Sequence, residues 1–207
     1  MTALLRLSRG IDAMNTAIGR VAAWAIVVAI VISALNAFVR KLFGLSSNAW
    51  LELQWYLFGA VFMLCAPWTL AANEHIRIDL ISSRLSARGR NIAEMVGHLV
   101  FLLPFVLVMT YLSFPFFLSS IRSGEVSSSA GGLIIWPAKA VILLGFALLL
   151  LQWLSEVIKR VAVMRGLIPD AHAAGHQAAA EAEVERLLAL ATVEGQPAAD
   201  RPPALQG

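Results

Sequence analysis

The chain has 207 residues, of which 59% are hydrophobic and only 14% charged, and its mean hydropathy is strongly positive. A soluble domain of this length could not hide so much apolar surface, so lipid is the expected solvent and a multi-domain soluble protein is excluded. The formal charge of +3 comes from arginines and lysines flanking apolar runs, where they set orientation; a nucleic-acid binder would gather them into one patch among aromatics, so no nucleic-acid partner is expected.

Taken in chain order, residues 1–20 form an amphipathic lead. Arg6, Arg9 and Arg20 stand there against a single acid, Asp12. Leu4, Leu5, Leu7, Ile11, Met14 and Ile18 recur at roughly helical spacing, which predicts a short interfacial helix. The first span, residues 21–39, carries no charge and reaches about 28 Å as a helix, enough to cross a bilayer core. A second span, residues 50–72, has Trp50 and Trp68 at belt positions and Pro67 placed to bend it. Residues 73–91 are too many for a tight turn, and Ile76, Ile78, Leu80, Ile81 and Leu85 alternate with charges. They predict an extended entry and then a short interfacial helix over about 79–87. The third span, about 92–118, is over-long and contains Pro104 and Pro115, so a tilt or kink is expected. After a flexible Ser/Gly loop within 119–132, the fourth span runs over 133–154, opened by Trp136-Pro137. The tail, residues 163–207, is rich in Ala, Glu and Pro and is expected to be partly disordered.

The resulting fold class is an all-α integral membrane protein with four transmembrane helices, residues 21–162, and one cytoplasmic interfacial helix between the second and third. Arg6, Arg9, Arg20, Arg77, Arg84, Arg88, Arg90, Lys159, Arg160 and Arg165 fall on one side. Arg40, Lys41, Arg122 and Lys139 fall on the other. That imbalance predicts cytoplasmic termini.

The residues that could carry chemistry are few. Glu52 lies one turn inside the second span and, with Tyr56, Gly59 and Met63, occupies one helix face. Glycine on such a face allows close backbone approach. The carboxylate either snorkels to the boundary or pairs across a helix interface, with Lys139, Arg40 or a partner protein as candidates. His98, with Glu94 one turn before it, reads as a hydrogen-bonded helix residue before it reads as a haem ligand. His75, Arg77 and Asp79 alternate at a membrane boundary and would point one way if extended. Cys65, the single cysteine, reads as a small buried hydrophobe, and the tail pair His172 and His176 supplies only half a metal-ligand set. No catalytic residue, cofactor or metal is expected.

Trp50-Leu51-Glu52, then Phe58-Gly59-Ala60, then His75-Ile76-Arg77-Ile78-Asp79-Leu80 together resemble the small membrane subunit of tripartite ATP-independent periplasmic (TRAP) transporters, the DctQ type. The resemblance covers about residues 15–162. It departs from the pattern at Leu53, where many relatives carry a second acid. The resemblance implies an accessory subunit in the bacterial inner membrane, without transport chemistry of its own. It would pack against the large membrane subunit, which carries a small organic acid with sodium, while a periplasmic binding protein delivers the solute. Trp50, Glu52, Tyr56, Gly59, His75, Arg77, Asp79 and Lys139 then become candidates for helix bracing or for contact with those partners. Two other readings compete. A haem-binding respiratory anchor would need His98 and His75 as axial ligands, and a channel or enzyme would need more intramembrane polar groups than the spans contain.

Overall fold

A computed structural model describes residues 2–44, 47–72 and 87–168. Four of its helical stretches, Thr2–Phe43, Asn48–Ala72, Ile92–Ser123 and Trp136–Met164, are long and apolar enough to cross a membrane. In chain order the helices are α1 (Thr2–Phe43), α2 (Asn48–Ala72), α3 (Ala87–Gly97), a π turn (His98–Leu102), α4 (Leu103–Ser123) and α5 (Trp136–Met164). The segment from α3 to α4 is the third span. His75, Arg77, Asp79, the interfacial helix expected before residue 87, and the tail histidines lie outside the described residues.

The lead and the first span are one helix, with no break near residue 20. The reason lies in which residues it buries. Ser8, Ile11, Asn15, Gly19, Ala22, Ala29 and Ile32 form the inward stripe, while Leu4, Leu7 and Met14 are exposed. The apolar periodicity of the lead therefore marks its outer face. Small and polar residues make the packed face, as between helices whose apolar surface already has lipid for solvent.

Contacts fix an alternating up-and-down order. Ser8 meets Ser155 and Asn15 meets Gln152, so α1 and α5 are antiparallel. Cys65 donates its thiol to the Gly19 carbonyl at 3.4 Å, which runs α2 back along α1. α2 and α5 are parallel, with Tyr56 at Ile134 and Met63 at Gly145. The third span returns along α5 through an edge-to-face pair of Phe105 and Phe146 with centroids 6.0 Å apart. α5 packs against α1, α2 and the third span, whereas the third span packs mainly on α5. α1, α2 and α5 therefore contact one another as a three-helix group, and the third span joins it on α5.

Two glycines set the crossings. A Cβ on Gly19 would come within 2.8 Å of the Trp68 Cβ, so Trp68 covers α1 and does more than sit in an interfacial belt. At Gly145 a Cβ would lie 2.7 Å from the Met63 Cβ and 2.9 Å from the Met63 carbonyl oxygen. That carbonyl is the one the missing N–H of Pro67 leaves without its helical partner. Proline and glycine on neighbouring helices therefore act together.

The expected irregularity in the third span is a π turn directly before Pro104. The His98 carbonyl accepts the N–H of Leu103, and the Trp153 indole also donates to it at 2.8 Å. Proline lacks the donor that would regularise this turn, so the wider turn and an outside donor take its place. Glu94 pairs with Arg160, tying α3 to α5 below the turn.

Where α1 begins and α5 ends, a polar network joins the two helices. The Asp12 carboxylate accepts from Gln152 at 2.7 Å, from Ser155 at 2.7 Å and from Lys159 at 3.1 Å. Lys159 and Gln152 also donate to Glu156, and Asn15 donates to Gln152 at 2.7 Å. Buried polar groups need such partners in a low-dielectric setting. We refer to this as the terminus end, and to the opposite end as the loop end.

Candidate functional site

The loop end is built on three side chains of α2. Asn48, Glu52 and Tyr56 follow one another at intervals of four residues, which stacks them on one helix face. Each reaches the connection between α4 and α5, residues 124–135. Asn48 donates its amide to the Ala130 carbonyl at 3.2 Å. Glu52 accepts the Leu133 backbone N–H at 2.7 Å and the Ser127 hydroxyl. Tyr56 donates its hydroxyl to the Ile134 carbonyl at 3.3 Å.

The connection, expected as a flexible Ser/Gly stretch, is a short hairpin. Gly124 ends α4 with φ 61°, a left-handed residue that glycine adopts without a Cβ clash. An antiparallel bridge then pairs Val126 with Ile134. Ser127 donates its N–H to Leu133 at 2.9 Å, and Ile135 donates to Glu125 at 3.1 Å. At Gly132 a Cβ would stand 2.5 Å from the Ser127 Cβ and 3.0 Å from Glu52 Oε1. Only glycine lets the strand seat against the carboxylate.

Lys139 closes the other side. It is 8% exposed, its Nζ lies 2.5 Å from Glu125 Oε2, and it sits 4.0 Å from the centroid of the Phe116 ring. The ammonium is therefore held by a carboxylate and an aromatic face together. Its nearness holds the Glu125 carboxyl below the usual carboxylate range. The expected pairing of Glu52 with Lys139 is not made: each takes a different part of the loop, because Glu125 competes for the amine from 14 residues away in sequence.

Of the other expected site residues, Trp50 is half exposed. Gly59 is exposed, and a Cβ there would meet nothing within 4 Å. Close approach through Gly59 is therefore not made within the chain. It lies between exposed Trp55, Phe58 and Phe62, a strip of α2 that no other described helix covers. His98 contributes its backbone carbonyl to the fold, as above. Of the two axial ligands that the haem-anchor reading needs, His75 lies outside the described residues.

The residues that sequence reasoning missed are Asn48, Phe116, Glu125 and Ser127. The four-residue step from Asn48 to Glu52 to Tyr56 could have shown the first. The others depend on a loop conformation that no periodicity encodes. Chemically, the arrangement binds the chain to itself. Its carboxylates and amine are engaged in fixing one loop against two spans.

Comparison with curated proteins and with solved structures found no match. The family described as "Tripartite ATP-independent periplasmic transporters, DctQ component" matches residues 16–163. That stretch contains all four spans from within α1 to the end of α5, the clasped loop and the HIRIDL run. The chain is a member of the DctQ component family of TRAP transporters.

Proposed function

We propose that this chain is the small accessory membrane subunit of a TRAP transporter in a bacterial inner membrane, with both termini in the cytoplasm. It packs against the scaffold of the large membrane subunit and supports sodium-coupled uptake of a small organic acid delivered by a periplasmic binding protein. The observation that carries this reading is the family match across residues 16–163. The four apolar spans agree with it.

Within that role the polar residues have assembly duties. Glu52, Tyr56 and Lys139 hold the loop on the periplasmic face, and Trp50 borders it. Gly59, among Trp55, Phe58 and Phe62, belongs to the strip that meets the large subunit, since an exposed glycine within a helix is otherwise unfavourable by about 1 kcal/mol. His75, Arg77 and Asp79 brace a cytoplasmic interfacial segment between the second and third spans.

Reconstitution tests the proposal. Proteoliposomes with the large subunit, the binding protein and an inward sodium gradient accumulate solute only when this chain is present. Full uptake in its absence would reject the role. Co-purification of the two membrane subunits in detergent should fail with Gly59→Leu.

A further inference from the structure

The fold leaves one face of α1 unused, and three arginines lie on it. At about 100° per residue, Arg6, Arg9, Arg20 and Trp24 fall within about 60° of one another. They stand away from the buried stripe of Ser8, Ile11, Asn15, Gly19 and Ala22, and all four are exposed. Asp12, the one acid of residues 1–20, is turned to Gln152, Ser155 and Lys159. Among the described residues no carboxylate pairs with Arg6, Arg9 or Arg20. Orientation in the membrane needs cations near a span but no common face for them, so their alignment calls for another account.

Depth separates these residues. The Gly19 carbonyl accepts the Cys65 thiol, and α2 ends at Ala72, so Arg20 stands about 10 Å inside that end. Asp12 and its polar partners lie about two turns nearer the N-terminus. Arg20 is therefore within the apolar band, and Arg9 and Arg6 are beyond it. Helical side chains lean toward the N-terminus. The Arg20 guanidinium thus has its reach toward the polar boundary, along small exposed Ala17 and Ala13, with its stem over apolar surface. In the other direction the same face continues as Trp24, Val27 and Val31, all exposed. From Arg6 to Val31 it passes from charge, through an aromatic ring, to aliphatic side chains. That is the order of a phospholipid from headgroup to acyl chain.

We infer that this face of α1 binds an anionic phospholipid at the terminus end of the bundle. The phosphate sits on the Arg20 guanidinium beside Ala17 and Ala13, and the acyl chains lie along Trp24, Val27 and Val31. Arginine suits this place because its forked donors match phosphate oxygens. Arg9 and Arg6 attract the headgroup from the water side, which favours a net negative lipid over a zwitterionic one. A carboxylate on a protein partner would answer the charge of Arg20 but not the gradient along the face. The leaflet is the cytoplasmic one in the orientation proposed above; the site itself does not depend on a role in transport.

The test titrates the full-length chain in detergent with phosphatidylglycerol and, separately, with phosphatidylcholine. Bound lipids are counted by native mass spectrometry at low and at high ammonium acetate. Phosphatidylglycerol should bind more tightly than phosphatidylcholine. Arg20→Gln should weaken phosphatidylglycerol about fivefold at either salt concentration, because its charge acts within the apolar band. The double variant Arg6→Gln, Arg9→Gln should lose about as much at low salt and little at high salt, where exposed charges are screened. Arg40→Gln, Lys41→Gln, at the other end of α1, should bind as wild type does. Equal affinity of wild type for the two lipids overturns the inference, as does equal phosphatidylglycerol affinity in wild type and Arg20→Gln. Displacement of phosphatidylglycerol by the large subunit, with Arg20→Gln weakening that complex, assigns the face to a protein and overturns it too.

Discussion

At the terminus end, side chains bond to side chains on facing helices: Asp12 to Gln152, Ser155 and Lys159, and Asn15 to Gln152. At the loop end, side chains of α2 bond chiefly to backbone: Asn48 to the Ala130 carbonyl, Glu52 to the Leu133 N–H, Tyr56 to the Ile134 carbonyl. The difference separates two jobs. A side-chain network specifies which helix faces which, and it fails when either partner is changed. A backbone clasp fixes the path of a loop while leaving most loop side chains unconstrained, so their identity is open to selection by whatever the loop meets.

Substitutions can break this contrast, and the largest effect is expected from a change that damages both ends. Gly145→Leu drives a side chain into Met63 and its carbonyl, separating α2 from α5; the destabilisation is about 1–3 kcal/mol or more by overpacking, read as a lower midpoint of thermal unfolding in detergent. Asp12→Ala comes next. It strips Gln152, Ser155 and Lys159 of a shared acceptor and destabilises by about 1–3 kcal/mol, while hydrogen exchange in residues 126–134 stays at the wild-type rate. Glu52→Gln should do the reverse. It keeps the volume but loses the charge-assisted acceptor, so the Leu133 amide exchanges roughly tenfold faster or more with little change in the unfolding midpoint. Equal effects of these two variants on both readouts would mean that the ends are not independent.

Acid offers a further probe of the loop end. The Glu125 carboxyl, lowered by the Lys139 ammonium, contributes fully above the ordinary carboxylate range and is lost as pH falls through its lower folded value. Loop protection is therefore level from about pH 8 to about pH 5 and declines below about pH 4. Glu125→Gln should lessen that decline, leaving the part that comes from acid neutralising the Glu52 acceptor. The smallest effect on the isolated chain is Gly59→Ala: the position is open, and replacing glycine in a helix gains up to about 1 kcal/mol. Its consequence should appear only in the yield of complex with the large subunit.

The four spans were legible, and Glu52 stood out, because hydropathy and an acid inside an apolar run are local signals. The continuity of α1 was not. Leu4, Leu7 and Met14 read as the apolar stripe of a separate interfacial helix, whereas they lie on the exposed face of one long helix whose contact stripe includes Ser8, Asn15 and Gly19. The partner of Lys139 was missed for a related reason: an ideal-helix comparison offers Glu52 across a helix interface, whereas the loop folds Glu125 onto the amine. The π turn could be anticipated as an irregularity near Pro104, but its form depends on Trp153, 49 residues later in sequence.

The central place of α5 among the helices bears on the order in which the protein is made. Synthesis delivers α1 and α2 first, and these two can pair through Gly19, Cys65 and Trp68 as soon as both are in the membrane. The third span follows with its main packing surface still unmade, because Phe146, Trp153 and Arg160 all belong to the helix that comes last. The loop also gains its contact to Lys139 through Glu125 only when the final helix has arrived. Assembly therefore waits on the final helix, and a ribosome that stalls before it leaves behind one finished pair and one solitary span for quality control to recognise.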